Sequence, residues 1–297
     1  MSSPAARTRP AVAVRPRRVR TRRVSFSYPP GTLRRHYAGG DLMMSHIVAV
    51  LSALFPEGED FFVRTVRAYR DEITDPELQR QVAGFIGQEV THGREHRHLN
   101  DRLADLGYPT RFVDRRTKYG LAFAHRVLPK DFQLAVTAAL EHYTATLAEV
   151  LLLDPEARAI IDSPEVRRLL LWHALEESEH KSVAFDVFMT VSGNERVRVW
   201  AMRYATFGLL AGTFTGVLAS LAKDRAAYDL RALTASLRKL PSSPWLKPDA
   251  IARIRAYTRP GFHPDDFDNT ALIDRWKADL FDETETGDAA APPTAAP

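Results

Sequence analysis

Glu89-Val90-Thr91-His92 and Glu177-Ser178-Glu179-His180 are the two stretches whose reading decides how this chain folds. A Glu and a His three residues apart lie on one face of an α-helix, so each stretch offers a carboxylate and an imidazole to the same point in space. Two such pairs, joined by one lone Glu from each of two further helices, are the side-chain set of a dinuclear metal site inside a four-helix bundle. The sequence must therefore supply four helices, and two unpaired carboxylates at matching depth.

Outward from these motifs, helical periodicity dominates and alternating β-branched runs are nearly absent. A short apolar helix is expected from Asp41 to Phe55, broken or kinked by Pro56 and Gly58, with an amphipathic stretch from Glu59 to about Ile73 after it. Asp75-Pro76-Glu77 starts a second helix that passes through Glu89 and His92 and stops at Gly107. A long link from Tyr108 to Lys130, with one or two helical turns inside it, leads to a third helix from Asp131 to about Leu152, through Glu141. Asp154-Pro155 and Ser163-Pro164-Glu165 bound a short link before a fourth helix, through Glu177 and His180 to about Thr190.

Register tests this arrangement. Glu59 lies 15 residues before Thr74 and Glu89 lies 14 after Asp75, so in an antiparallel hairpin both stand about 20 Å from the turn. In the second hairpin Glu141 lies 13 residues before Asp154 and Glu177 lies 14 after Ser163. A long connection between the hairpins is what a ferritin-like bundle with a single crossover requires. The expected fold is all-α: a ferritin-like four-helix bundle over residues 25–192 and a helical extension packed on it over 193–282. An Arg/Pro-rich tail at 1–24 and an Ala/Pro-rich tail at 283–297 are expected to be disordered.

The expected metal ligands are Glu59, Glu89, His92, Glu141, Glu177 and His180. Four carboxylates balance two divalent cations, which offsets the cost of burying them. Without metal the same groups would repel and raise one another's pKa, so the metal-free chain should be less stable. There is no cysteine, which excludes disulfides, iron–sulfur clusters, thiolate-bound zinc and cysteine nucleophiles. Oxygen and nitrogen ligands suit two ions of iron, with manganese or zinc as alternatives. His96 and His173, one turn from the motifs, are candidate extra ligands, outer hydrogen-bond partners or proton carriers, against the commoner role of a satisfied buried histidine. Tyr143 is a candidate for redox or hydrogen-bonding duty, against a merely packed ring, and His142 stands beside it. Glu95, Glu176 and Glu179 are assigned to solvent or Arg partners, and the small residues Thr137, Ala138, Thr144 and Ala145 suggest room for a small-molecule substrate.

The formal charge of +4 hides an asymmetry, because residues 1–40 carry ten Arg and no acid, leaving −6 on the remainder. A mildly acidic body makes nucleic acid an unlikely partner, and a solvated leader is the expected role of the Arg-rich tail. Arg22-Arg23-Val24-Ser25-Phe26 resembles the start of a twin-arginine signal, but Pro29-Pro30-Gly31 and Arg34-Arg35 occupy the place of its apolar region, so a cytoplasmic location is expected. Tyr204 to Ala222 is free of charge, with Gly208, Gly212 and Gly216 at four-residue spacing. Such a segment fits a buried or homodimer-forming helix, the favoured reading, or peripheral or integral membrane contact through 204–222.

Four blocks together resemble a known family. They are Phe55-Pro56-Glu57-Gly58-Glu59-Asp60-Phe61-Phe62, Gly87-Gln88-Glu89-Val90-Thr91-His92-Gly93-Arg94-Glu95-His96, Glu141-His142-Tyr143 and Trp172-His173-Ala174-Leu175-Glu176-Glu177-Ser178-Glu179-His180-Lys181. The sequence resembles the bacterial family of predicted metal-dependent hydrolases, over about Val24 to Phe281 and including Gly261-Phe262-His263-Pro264-Asp265. Asp60 departs from the basic or neutral residue expected after the Gly-Glu pair, which bears on the entrance more than on the metals. The resemblance implies a metal-dependent enzyme that hydrolyses an ester, amide or phosphate. The ligand chemistry itself favours O2-dependent oxidation of a small organic substrate, since Glu/His bundles are the di-iron and di-manganese pattern. Metal binding without turnover is the third alternative.

Overall fold

The computed structural model describes residues 14–281, and every long element in it is a helix. The all-α class is as expected. Helices α1 (Leu42–Arg67), α2 (Pro76–Asp105), α3 (Thr110–Val127), α4 (Lys130–Leu153), α5 (Pro155–Ile160), α6 (Pro164–His180) and α7 (Val183–Val191) come first. The extension adds α8 (Glu195–Leu221), α9 (Leu230–Lys239), α10 (Pro248–Ala256) and α11 (Thr270–Phe281). α1 packs on α2 and α4, while α6 packs on α4 and α2, so these four close a ring around a common interior. α8 and α10 lie against α4, α9 against α1 and α11 against α6.

The helix ends follow local chemistry. Asp75 accepts the Glu77 and Leu78 amides ahead of Pro76 at the first helical position. Gly107, at φ +91°, ends α2 with paired bonds from its own amide to Ala104 and from the Tyr108 amide to Leu103. Pro56 does not break α1. Proline removes the amide that would bond the carbonyl four residues back, and here that Ser52 carbonyl accepts Asn100 Nδ2 at 2.9 Å instead. Of the expected break or kink at Pro56 and Gly58, the break is not found, because one helix of 26 residues runs through both positions.

Two other expectations change. The link after Tyr108 is an 18-residue helix, α3, whose inward face is limited to Thr110, Val113 and Ala124, too few apolar positions to show as periodicity among its basic residues. The fourth helix does not run unbroken to Thr190. It unwinds at Lys181-Ser182, where buried Lys181 turns its Nζ to Glu149 Oε1 at 3.1 Å and the Phe267 carbonyl, and α7 follows from Val183.

The Arg-rich leader also departs from expectation. Residues 1–13 and 282–297 lie outside the described residues, but 14–24 run extended along α2 rather than free in solvent. Gln81 and Gln88 donate to the Arg15 and Arg20 carbonyls, and Arg94 donates to that of Val24. The arm lies so close that a Cβ on Gly84 would stand 2.2 Å from the Val19 carbonyl oxygen. Gly84→Ala is therefore expected to lift the arm, with a loss of roughly 1–3 kcal/mol from overpacking, read as a lowered midpoint in urea denaturation.

Apolar packing brackets the polar interior from both sides. One cluster collects Phe61, Phe62, Phe85, Leu134, Phe185 and Phe188. Another collects Ala49, Leu99, Leu103, Leu169 and Trp172. On α1, α2 and α6 the motif residues fall in the interval between these clusters.

Candidate metal centre

Glu59 on α1, Glu89 and His92 on α2, Glu141 on α4, and Glu177 and His180 on α6 converge in that interval, and all six are buried. His180 Nε2 lies 3.2 Å from Glu89 Oε1, 3.2 Å from Glu141 Oε2 and 3.6 Å from Glu177 Oε2. His92 Nδ1 lies 3.5 Å from Glu89 Oε1 and 3.7 Å from Glu177 Oε1. Both oxygens of Glu59, Glu89 and Glu141, together with Glu177 Oε2, His92 Nδ1 and His180 Nε2, are sealed from solvent without a hydrogen-bond partner. Buried polar atoms in proteins are almost always paired. Such a concentration of orphaned lone pairs, all aimed at one interior, suits a cation.

Two groups share a residue. Glu59, Glu89 and His92 can place ligand atoms within 4.8 Å of one another, and so can Glu89, Glu141 and His180. Glu89 stands in both, so one carboxylate is within reach of either group.

The atoms facing away from this interior are all committed. His92 Nε2 donates to Glu176 at 3.0 Å, which leaves the Nδ1 lone pair facing in. His180 Nδ1 donates to Gln88 Oε1 at 2.9 Å, which leaves Nε2 facing in. Gln88 in turn donates to Glu179 at 2.8 Å, and Arg22 of the N-terminal arm bonds both Glu176 (3.0 Å) and Glu179 (2.7 and 2.8 Å). These outer bonds fix the tautomer and direction of both imidazoles. Glu176 and Glu179, for which solvent or an Arg partner was expected, are buried on that Arg. Glu95 is buried as well, held by the Phe26 amide at 3.0 Å and by Arg94 at 2.7 Å.

His173 belongs with the centre. Ser52 Oγ donates to Asn100 Oδ1 at 2.8 Å, so His96 Nδ1 must donate to Ser52, at 2.9 Å. His96 Nε2 is then an acceptor, and His173 Nδ1 donates to it at 2.7 Å. That leaves His173 Nε2 as a lone pair 2.9 Å from Glu177 Oε1, a repulsive contact that a cation between the two would relieve. The reverse order of donors would strand Asn100 Oδ1 against the Ser52 oxygen. His173 can form a ligand group with His92 and Glu177, and another with Glu59 and His96, although both nitrogens of His96 are already bonded to Ser52 and His173. The spacing His173 to Glu177, one turn, was the only sign of this in the sequence.

Tyr143 turns its hydroxyl to Thr206 of α8 at 2.7 Å, and His142 bonds the Arg253 carbonyl at 2.9 Å among Tyr257 and Phe262. The hydrogen-bonding duty considered for Tyr143 is thus directed to α8 rather than to a motif residue. Of the small residues expected to leave room, Thr137 is tied to Thr65 on α1 at 2.7 Å. A separate group, His36, His46 and Asp224, contrasts with the centre. There Asp224 Oδ2 already accepts Arg35 at 3.0 Å, His36 at 2.8 Å and His46 at 3.0 Å, so no lone pair is stranded.

Electrostatics show the cost of the metal-free arrangement. Burial, followed by the charge of Glu89 and Glu177, pushes Glu141 up to about 8. Burial, with Glu177 outweighed in part by His180, pushes Glu89 up to about 8 as well. Glu59 is driven well above the carboxylate range by burial and then by Glu89 and Glu177. Burial disfavours the His180 cation, yet Glu141 and Glu177 outweigh it and raise its pKa. Burial likewise opposes the Glu177 anion, but His180 outweighs it and holds its pKa well below the usual range.

A carboxyl whose folded pKa is raised binds more protons in the native state than in the unfolded chain, so stability falls as pH rises from about 4.5 to about 8. Metal-free protein should lose Tm steadily across that window. Cations require the deprotonated ligands, so added metal should flatten or reverse the slope. Thermal melts at stepped pH with chelator or metal check this, and parallel slopes would refute it.

The sequence matches the family described as predicted metal-dependent hydrolase over residues 20–268. The chain belongs to that family. The match covers more than four-fifths of the 297 residues and contains every residue of the centre. It begins slightly before and ends before the expected span of Val24 to Phe281. No curated protein and no solved structure matches the chain.

Proposed function

We propose that this family member is a metal-dependent enzyme with a dinuclear centre held by Glu59, Glu89, His92, Glu141, Glu177 and His180, joined by His173. The observation that carries this reading is the set of orphaned carboxylate and imidazole atoms aimed at one buried point. Bound metal would supply either redox equivalents for O2-dependent oxidation of a small organic substrate or, as in two-metal hydrolases, polarisation of an ester, amide or phosphate. We favour oxidation with two iron ions, because all-Glu/His ligation in a ring of four helices, as in ferritin-like folds, is the di-iron pattern. Hydrolysis is the second reading, supported by the family description.

The chain's own residues have defined tasks in either reaction. Glu176 and Gln88 hold the two motif imidazoles in the tautomers that present a lone pair inward. Arg22, with Lys277 at 3.5 Å from Glu179, offsets the negative charge of Glu176 and Glu179 beside the centre. The Ser52-His96-His173 chain orients the third imidazole. Phe55 packs edge-on against His96 and His173 at 4.8 and 5.1 Å and shields that side from water.

Metal analysis of the purified protein, followed by anaerobic reduction and exposure to O2 with visible absorption recorded, separates the readings. About two irons per chain and a transient band support oxidation. Zinc or manganese with no response to O2 would favour hydrolysis, and absence of bound metal after reconstitution would refute both.

A further inference from the structure

Helix α8 is not the buried helix that its uncharged run suggested. Among the described residues it is the one helix long and apolar enough to cross a membrane by length and composition, yet only 22% of its most apolar stretch is buried. Its inner face, including Ala201, Met202, Ala205 and Val217, is buried, and Gly216 sits so near α1 that a Cβ would meet Val50 at 2.7 Å. Its outer face carries Trp200, Tyr204, Phe207, Leu210, Phe214 and Leu218 at three- and four-residue spacing, with exposures from 44% to 74%.

A second helix extends this face. Phe112, Tyr119 and Phe123 are exposed on one stripe of α3. Arg116, on the same stripe, reaches across to the Gly212 carbonyl of α8 at 2.6 Å and to Thr215. The two helices therefore present their aromatic stripes on one side of the molecule. A contiguous patch of this kind on a soluble surface marks a contact site.

The charges around it indicate what makes the contact. Between Thr110 and Val127 five Arg or Lys stand against one acid, Asp114. Arg111, Arg115, Lys118 and Arg126 on α3 are exposed. Arg196 and Arg203 border the stripe at one end of α8, and Lys223 and Arg225 follow its other end. Two copies of the chain meeting through this face would bring basic rims together, which opposes self-association. Aromatic and aliphatic side chains between rows of Arg and Lys instead match an interface of acyl chains beneath anionic headgroups.

We propose that the α3–α8 face docks this protein on an anionic lipid bilayer, with α8 lying in the plane of the interface. The buried inner face rules out a spanning orientation without tearing α8 from α1 and α4. Trp200, Tyr204 and Phe207 take the headgroup level, as aromatic residues do at membrane boundaries. The basic side chains flank them and meet the phosphates.

Flotation of the full chain with vesicles of phosphatidylcholine alone, or of phosphatidylcholine with phosphatidylglycerol, tests the proposal. The protein should float with the mixed vesicles, more weakly with neutral ones, and less as salt rises. Trp200 is exposed, whereas Trp172 and Trp276 are buried and Trp245 is half-buried, so tryptophan emission should shift to the blue and be quenched by brominated acyl chains, and Trp200→Phe should remove most of the change. The double substitution Phe207→Glu with Phe214→Glu should weaken binding about tenfold or more, with unchanged helix content because both side chains are exposed. Tyr119→Glu on the neighbouring helix gives an independent second variant. The proposal is overturned if the chain fails to float with anionic vesicles, if it floats equally with neutral ones, or if neither variant reduces flotation. It is also overturned if the chain sediments as a dimer that these substitutions dissociate, with no vesicle binding.

Discussion

Glu89→Ala should remove metal from both ligand groups of the proposed centre, leaving purified protein with less than one ion per chain after reconstitution. Glu89 belongs to the ligand group of His92 and to that of His180, so its loss takes an oxygen from each. The loss should exceed the roughly 10–100-fold drop in metal affinity that follows removal of an outer hydrogen-bond partner. Removal of a buried charge also lessens repulsion on Glu141, whose pKa is raised by burial and then by Glu89. The metal-free variant should therefore melt higher than the metal-free parent at pH 8. Metal retained in full would show that the assignment of the site is wrong. Retention together with an unchanged pH slope would show that these carboxylates are not a coupled group.

Arg22→Ala is the second large effect, because it strikes the outer layer. Arg22 is only 6% exposed and is bonded to Glu176 and Glu179, which are buried themselves. Loss of one partner from a buried ion pair costs about 3–5 kcal/mol. At this chain length that corresponds to a fall in Tm on the order of 10 °C. Lys at this position keeps the charge but not the fork that grips both carboxylates, so Arg22→Lys should recover part of the loss. Glu179→Gln in the Arg22→Ala background should recover more than it does in the parent, since it removes a stranded charge. Equal effects in the two backgrounds, read by calorimetry, would show that the pair is not coupled.

The two predictions probe different parts of the sequence. Glu89 and its five partners were legible from spacing alone, because a carboxylate and an imidazole three residues apart on a helix can hardly avoid sharing a face. The matched heights of Glu59 with Glu89, and of Glu141 with Glu177, followed from counting residues to the turns. Arg22 was not legible. It lies in a run of arginines and prolines without periodicity, and an extended segment gains its place only from the surface that receives it. Gly84 and Gly87, which leave room for Val19 and Thr21, became informative only once that arm lay beside them.

The chain by itself determined the helical class, the depths of Glu59, Glu89, Glu141 and Glu177 on their four helices and the residue types around them, because each depends on local periodicity and fixed rise per residue. Tertiary structure decided the rest. Pro56 sits inside a continuous helix because Asn100, 44 residues later, takes up the carbonyl that proline leaves free. Tyr143 leaves the site for α8, while His173 joins it through donors on α1 and α2. The uncharged run of α8 is exposed because only one side of it finds α1 and α4. In each case the deciding partner is remote in sequence, and hydrogen-bond direction and packing between distant segments leave no local trace in the order of residues.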